Sequence, residues 1–362
     1  MFVAWRDLRF AKGRFALMGT VIVLITLLVG LLSGLTAGLG QQNVSAITSL
    51  PADRIAFGAP GEGTKLSYAN SAVSERQWRR WSQAPGVRGA EPLGITTTRA
   101  GAGGRSAGVS VFGVGPGSTL APYGKQINAG TAVLSTGAAR DLGVKPGDGF
   151  TLAGQRLRVA AIGGDAFFSH TPVIWTDLTV WRRTAPPTGT GNAPAATVIA
   201  LSTIKNADVG ALDKATGTKT VTRDDSLAAI GSYTSENGSL QLMRAFLFAI
   251  SALVIGAFFT VWTIQRSGDI AVLKALGAST ATLLRDALGQ ALVLLVGGTA
   301  LGTALAAGLG ALLAGGDVPF LLTASTVLLP AAVMVVLGAL GAGLSVRRIT
   351  SVDPLTALGS AR

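Results

Sequence analysis

The sequence predicts a membrane protein: an α-helical bundle of four transmembrane helices with one extracytoplasmic α+β domain between helices 1 and 2. The first observation is the composition, because 49% of the 362 residues are hydrophobic and 13% are charged, whereas a soluble domain carries about 25% charged residues. The second is that the apolar residues form four runs, each long enough for the ~20 helical residues that cross a hydrocarbon core. The predicted transmembrane helices are residues 15–39, 240–264, 287–313 and 320–344.

Residues 1–14 form a cytoplasmic segment in which four basic residues alternate with Trp5, Leu8 and Phe10. This pattern is typical of an amphipathic helix on the membrane surface. A simple basic anchor for the first span explains it equally well. A cleaved signal peptide is a further alternative, but the apolar run is too long and no A-x-A site follows it.

Residues 40–239 are predicted to form the α+β domain. Runs rich in β-branched residues predict strands, namely Arg54–Phe57, Val109–Val114, Thr131–Leu134, Gln155–Ile162, Val173–Trp175 and Thr197–Leu201. Capping residues predict helices at Ser74–Gln83 and Ser135–Leu142. A loop rich in Pro, Gly and Thr is expected at residues 184–194.

The basic residues of the short segments predict the orientation. Four lie in residues 1–14, three in the polar island 265–286 and three in the tail 345–362, whereas residues 314–319 contain none. We therefore expect a multi-pass protein of the plasma membrane with both termini and the island in the cytoplasm. The net charge of +12 does not indicate nucleic-acid binding, because residues 40–239 mix nineteen Lys/Arg with thirteen Asp/Glu.

Motifs for catalysis or metal binding are missing from the sequence. There is no cysteine and a single histidine, which excludes disulfides and multi-histidine metal sites. No G-x-x-x-x-G-K-[ST], H-E-x-x-H or G-x-S-x-G motif occurs. Acidic residues within the spans are too few for a proton relay. We therefore expect no enzyme activity and no cofactor of the chain's own, and transport would need a partner.

The island 265–286 alternates charged and apolar residues at helical spacing, and Gly277 offers a left-handed C-cap. Its apolar residues Ile270, Leu273 and Leu276 suit a groove on another protein. The alternative is a helix that only lies on the lipid headgroups.

The layout of one span, a large external domain and three further spans, together with RSGDIAVLKALGAS at residues 266–279, resembles the FtsX/MacB-type permease family of ABC transporters. The tail sequence ITSVDPLTAL at residues 349–358 is also similar to that family's closing segment. The resemblance implies a permease homodimer in membrane lipid with two copies of a cytoplasmic ABC ATPase subunit, which binds the ATP. The island would be the coupling helix, with contacts from Arg266, Asp269, Ile270, Leu273, Lys274, Leu276 and Gly277.

Two features depart from the family pattern: a plain Ser267-Gly268 where further basic residues are common, and an external domain of modest size. Within the family, the chain is most similar to the small heme-exporting permeases of Gram-positive bacteria. The resemblance implies a substrate cleft at the outer ends of the first two spans. The expected substrate-binding residues are Gly30, Ser33, Gly34, Ala37, Gly38, Tyr233, Glu236, Leu240, Met243 and Arg244.

If heme is the substrate, Met243, Glu236 or Tyr233 are candidate iron ligands, and Arg244 is a candidate partner for a propionate. Each has a plainer alternative: Met243 in the core or facing lipid, Glu236 solvated, and Arg244 reaching the headgroups. The glycine face of the first span likewise fits either close helix packing or a slot for a flat ligand. His170 is expected to be a structural histidine.

Three functions fit these expectations. The first is export of heme or a similar hydrophobic compound taken laterally from the membrane. The second is mechanotransmission, in which movement of the spans activates an extracytoplasmic partner such as a cell-wall hydrolase. The third is extraction of a lipid or lipoprotein.

Overall fold

The protein is described by a computed structural model that covers residues 12–185, 194–265, 268, 272, 276–313 and 318–349. The chain divides into two compact units. The α/β unit is Leu39–Gly238, and the helical unit combines Met1–Gly38 with Ser239–Arg362. Residues 1–11 and 350–362, on which the predicted surface helix and the predicted tail fall, lie outside the described residues.

The elements follow one another in the order expected for a helix, an α/β region and three further helices. The described helices are α1 (Lys12–Thr48), α2 (Glu75–Ser82), α3 (Thr136–Leu142), α4 (Leu178–Thr184), α5 (Val209–Thr216), α6 (Gly231–Gln265), α7 (Thr280–Leu313) and α8 (Ala324–Ile349). The described strands are β1 (Arg54–Gly58), β2 (Val87–Ala102), β3 (Arg105–Val114), β4 (Thr131–Leu134), β5 (Gly149–Leu152), β6 (Gln155–Ile162), β7 (Phe167–Phe168), β8 (Thr171–Asp177), β9 (Val198–Thr203) and β10 (Thr218–Thr222).

Among the described residues, α1, α6, α7 and α8 are the four helices that are long and apolar enough to cross a membrane. Three of them are longer than the apolar runs suggest. α1 continues to Thr48, α6 begins at Gly231, and α7 begins at Thr280. The residues added to α6 are mostly Gly, Ser, Thr and Asn, which are weak helix formers, so helix propensity does not indicate this extension.

The predicted start of the fourth transmembrane helix at Phe320 is wrong, because α8 begins at Ala324. The hydroxyl of Thr323 accepts a hydrogen bond from the backbone N–H of Thr326 at 3.2 Å, which caps the helix. The segment Val318–Thr323 before it is not helical, and Leu321 donates its N–H to the carbonyl of Gly34 at 3.0 Å.

Four strands of the α/β unit form a sheet in the order β10-β1-β9-β2, with antiparallel neighbours. With α2 after β1 and α5 after β9, this is the ferredoxin-like split β-α-β arrangement. The long strand β2 leaves this sheet and pairs with β3 through its second half. Pairings then continue through β8, β4, β6 and β5 back to β2, so a closed ring of strands is inserted between β2 and β9.

All six predicted strands and both predicted helices of this unit are confirmed. Ser74 and Ser135 cap α2 and α3 as their sequence positions suggest. Strand β2 was not predicted, because Pro92, three glycines and three alanines interrupt its pattern of β-branched residues.

The core of the α/β unit is built largely from the sheet residues and the helices that cover them. Phe57, Phe112 and Trp81 are fully buried. Burial raises the pKa of the Tyr68 hydroxyl, which stays neutral and donates a hydrogen bond to Ser226 at 2.8 Å.

Small residues hold the helical unit together. A Cβ at Gly298 or Gly302 of α7 would overlap α1, and a Cβ at Gly30 of α1 would lie 2.7 Å from Cβ of Ala306. Such close approach lets helices pack without large side chains. Phe259, Leu295 and Met334 fill the apolar core of this unit.

The glycine face of α1 continues along the segment before α8. A Cβ at Gly34 would overlap the ring of Phe320, and a Cβ at Gly38 would overlap the carbonyl oxygen of Pro319. Close packing, the first of the two expected uses of this face, therefore describes the structure.

Replacement of Gly38 by alanine should destabilise the protein by about 1–3 kcal/mol, because the added methyl group overpacks the contact with Pro319. Gly19→Ala in the same helix is the matched control, since a Cβ there meets nothing within 4 Å, and it should be neutral or stabilising by up to ~1 kcal/mol. Thermal unfolding of both variants in detergent provides the comparison. An equal effect of the two substitutions would contradict this packing.

Candidate functional site

The predicted substrate residues of α1 are largely buried within the helical unit. Gly34 and Gly38 are buried against Phe320 and Pro319, and Ser33 is only 4% exposed. Gly30 and Ala37 are half-buried. The predicted slot for a flat ligand is therefore filled by the protein's own side chains in this structure.

The predicted residues of α6 that lie in the helical unit are more accessible. Met243 is 55% exposed, and Leu240 and Arg244 are half-buried. Met243 belongs to a run of exposed apolar side chains along α6, which we call the α6 apolar surface. Its members are Leu242, Met243, Phe246, Ile250 and Leu253.

Arg244 follows Met243 and has a buried Nε atom that finds no hydrogen-bond acceptor in the described part of the chain. A guanidinium has five N–H donors and no acceptor. Leaving one of them buried without a partner is costly. The side chain is thus suited to receive an anionic group from outside the described residues.

Tyr233 and Glu236 lie in the α/β unit. The ring of Tyr233 packs against the apolar cluster that contains Ala46 and Ile47. Glu236 accepts a hydrogen bond from the Asn43 amide at 3.1 Å, and its Oε2 lies 2.6 Å from Nε2 of His170. Glu236 is therefore partly exposed to solvent, as one of the two alternatives expects, and also hydrogen-bonded within the α/β unit.

These contacts belong to a larger polar cluster that joins the end of α1, the β7–β8 loop and the start of α6. We call it the polar clasp. Ser232 donates a hydrogen bond to Oδ1 of Asn43 at 2.9 Å, and the hydroxyls of Ser232 and Ser169 lie 2.9 Å apart. The side chains of His170 and Glu236 are 32% and 42% exposed, so the contact between them is partly screened by solvent.

The backbone of the polar clasp is strained. Ser169 and His170 form the two-residue loop between β7 and β8, with φ of +49° and +64°. Such loops favour Asn-Gly, because both residues need positive φ. Here the loop is held because Ser169 and His170 donate their N–H groups to the carbonyls of Asn43 and Gln42, each at 3.0 Å. Strain that is held in this way is typical of functional sites.

The structure confirms the expectation of a structural His170, and it adds residues that the sequence did not reveal. In the polar clasp Asn43 makes three side-chain contacts, with His170, Glu236 and Ser232, and Ser232 makes two. The polar stretch Gln41–Asn43, directly after an apolar run, was the available signal for Asn43. Nothing in the sequence places the β7–β8 loop beside it.

Most of the predicted ATPase-coupling residues, namely Arg266, Asp269, Ile270, Leu273 and Lys274, lie outside the described residues. Leu276 is 79% exposed. Gly277 has φ of +94°, the left-handed conformation that the sequence predicts. In the described ranges no three His, Cys, Asp or Glu side chains form a group that could hold a metal ion.

Comparison with family models gives two matches along the chain. A model described as MacB-like periplasmic core domain matches residues 15–219, and one described as FtsX-like permease C-terminal matches residues 242–354. Together they cover most of the α/β unit and most of the last three long helices, and leave residues 220–241 unmatched.

Bacterial proteins are similar to this chain over almost their whole length. A Staphylococcus haemolyticus protein that carries the provisional name hemin transport system permease protein HrtB is 27% identical, with 99% of each chain covered. An uncharacterised ABC transporter permease of Mycobacterium tuberculosis is 23% identical, again over 99% of each chain.

Two solved structures are similar at 12% identity. The extracellular domain of the noncanonic ABC-type transporter YknZ from Gram-positive bacteria gives a TM-score of 0.34, covering 47% of this chain and 98% of its own. The periplasmic region of MacB from Actinobacillus actinomycetemcomitans gives 0.35, covering 50% of this chain and 94% of its own.

Glu236→Gln should loosen the polar clasp, because it removes the charge that attracts His170 and the Asn43 amide. Because both side chains are partly exposed, we expect the free energy of local opening of the loop to fall by ~1 kcal/mol. This corresponds to about fivefold faster hydrogen exchange at the amides of Ser169 and His170. Glu75→Gln is the matched control, since Glu75 pairs with Arg79 on exposed α2. An unchanged hydrogen-exchange rate at Ser169 and His170 in Glu236→Gln would show that the contact between Glu236 and His170 does not hold the loop.

Proposed function

The chain belongs to the FtsX/MacB-type family of ABC transporter permeases, and from this premise we propose that it is the membrane subunit of an exporter driven by a separate ATPase. The permease would carry no catalytic site, and the partner would bind and hydrolyse ATP. We place α1, α6, α7 and α8 across the plasma membrane with both termini in the cytoplasm, because the basic residues flank those ends.

The coupling to the ATPase would occur at the island between α6 and α7. Val272 and Leu276 support this proposal, because these apolar side chains lie one helical turn apart and are 52% and 79% exposed. A partner could cover both of them. A groove on the ATPase would supply that cover. Two ATPase subunits would bind two permease copies.

The substrate that we propose is heme or a similar flat, hydrophobic compound. The observation that carries this proposal is the accessible Met243 on the α6 apolar surface, next to the unpaired Arg244. A thioether is a known ligand of heme iron, and a guanidinium matches a carboxylate such as a propionate. The name of the Staphylococcus haemolyticus relative supports the same substrate class.

A second copy of the chain would complete the substrate site. The α6 apolar surface extends from Leu242 to Leu253 and is exposed in the single chain. Lipid or another permease copy would cover it. We propose that substrate enters laterally from the membrane between two such surfaces. Closure of the ATPase dimer would then move the islands together and press the spans toward each other, releasing the substrate outward.

Mechanotransmission is the second candidate function, and the polar clasp favours it. α1 runs without a break from Lys12 to Thr48 and α6 from Gly231 to Gln265. The polar clasp holds the outer ends of both helices to the β7–β8 loop. Movement of the helices would therefore be passed to the α/β unit, where an extracytoplasmic partner could respond to it.

Hemin added to the purified full-length chain should give a saturable shift of the Soret band. Met243→Ala should weaken binding about tenfold, which equals ~1.4 kcal/mol, because the iron loses a ligand. Leu253→Ala is the matched control, since Leu253 is 72% exposed on the same surface, and it should leave the affinity unchanged.

No saturable shift with the wild-type chain would contradict the heme proposal and leave mechanotransmission as the better account. Equal weakening by Met243→Ala and Leu253→Ala would indicate nonspecific adsorption to the apolar surface rather than ligation.

A further inference from the structure

The α/β unit has an exposed sheet face on which arginines are the charged residues. Gly101 of β2 lies opposite Ser106 of β3 and Thr151 of β5. Thr151 in turn lies opposite Arg156 of β6. Because side chains of directly paired residues project from the same side of a sheet, these four positions form one row across four strands, with Arg156 at its end.

Two further arginines share this side of the sheet, because alternate residues of a strand point the same way. Arg99 stands two residues before Gly101, and Arg158 stands two residues after Arg156 and opposite Gly149. All three arginines are exposed. We call the surface that Arg99, Arg156 and Arg158 define the basic face. Between them, its positions on β2 and β5 are glycine or threonine, so no carboxylate there offsets the positive charge.

The arginines of the basic face are not neutralised by the protein. Within the described ranges, none of the three forms an ion pair or a side-chain hydrogen bond. Other arginines of the same unit do, since Arg79 pairs with Glu75 at 2.6 Å and Arg223 with Asp224 at 3.3 Å. The free guanidinium groups are therefore available to an anion from outside, and their planar fork of donors matches phosphate oxygens.

An open depression of about 560 Å³ lies at the β2–β3 turn beside the basic face. Among its described lining residues, the charged ones are Arg105 and Arg156, both positive. The lining residues are Gly101, Ala102, Gly103, Gly104, Arg105, Gly149, Phe150, Thr151, Arg156 and Leu157. Because four of them have no side chain, a bulky anionic group can approach the backbone between the two guanidinium groups.

The basic face lies at the end of the strands where the α/β unit meets α1. Arg99 is opposite Gly108, and a Cβ at Gly108 would lie 3.9 Å from Cγ2 of Thr171, the first residue of β8. The preceding residue, His170, donates its N–H to the carbonyl of Gln42 at 3.0 Å. Gln42 follows closely on the apolar run of the first span. The arginines are therefore at the level of the chain where α1 leaves its apolar stretch.

We propose that the basic face docks the α/β unit onto the anionic phosphate headgroups of the membrane that the spans cross. Charge complementarity supports a phosphate-bearing partner, and the position of the face beside the end of the apolar run favours lipid over a soluble polyanion. This inference rests on the proposed placement of α1 and α6 across the membrane. It is independent of the substrate, because none of these arginines lies on the α6 apolar surface.

A single fluorescent reporter on the full-length chain tests the docking. The chain contains no cysteine, so Ser106→Cys provides one labelling site on the row next to the arginines. The labelled chain is placed in nanodiscs that contain a lipid with a spin-labelled headgroup, which quenches a nearby fluorophore. Quenching should be at least about twofold stronger when phosphatidylglycerol is added to phosphatidylcholine. The difference should vanish in 1 M salt, where the Debye length is about 3 Å.

Removal of two arginines tests whether the basic face causes the quenching. Arg156→Gln combined with Arg158→Gln should reduce the quenching to the phosphatidylcholine value, because each arginine near an anionic surface favours the docked arrangement about fivefold. Lys214→Gln combined with Lys219→Gln is the matched control. It removes the same charge from exposed positions of α5 and β10 and should leave the quenching unchanged.

Three results would overturn the inference. The first is equal quenching with and without phosphatidylglycerol, and the second is an equal loss in the arginine and lysine variants. The third is arginine-dependent binding of soluble polyphosphate without any effect of phosphatidylglycerol, which would identify a polymer as the partner. A chain that does not insert into nanodiscs at all would instead contradict the placement of the spans, and with it the function from which this inference proceeds.

Discussion

The two-residue loop Ser169–His170 is the constraint on which the arrangement of the end of α1 and the start of α6 within the α/β unit depends. The loop adopts a left-handed conformation that neither residue favours, and it is held there by carbonyls near the end of α1. His170 and Ser169 then reach Glu236 and Ser232 at the start of α6. One strained loop thus joins two helices that are nearly 200 residues apart in sequence.

The helices of the helical unit pack closely because glycines, which have no side chain, lie at their contacts. Gly30, Gly34 and Gly38 allow α1 to contact α7 and the segment before α8 at backbone distance. The space beside Gly34 and Gly38, which the sequence offers as a ligand slot, is filled by Phe320 and Pro319. Among the expected substrate residues, Met243 on α6 is exposed instead.

Much of the fold could be predicted because its signals are local. Apolar runs marked the four long helices, and capping serines marked α2 and α3. The candidate site was less predictable, because its contacts join distant segments. No residue near Glu236 in the sequence indicates its contact with His170. The sequence predicts a helix at Phe320 because the residues around it are apolar. Strand β2 was missed because Pro92 and its glycines resemble a loop, although pairing with β3, β5 and β9 stabilises it.

The central claim is that a separate ATPase drives this chain through the island. Leu276→Asp should abolish stimulated ATP hydrolysis by the reconstituted permease–ATPase complex, because a charge replaces the exposed apolar contact. Ser279→Asp adds the same charge three residues away, and Asp can replace Ser279 as the cap that accepts the N–H of Thr282. The account predicts that this control keeps its activity. Full activity and intact assembly of Leu276→Asp would contradict it.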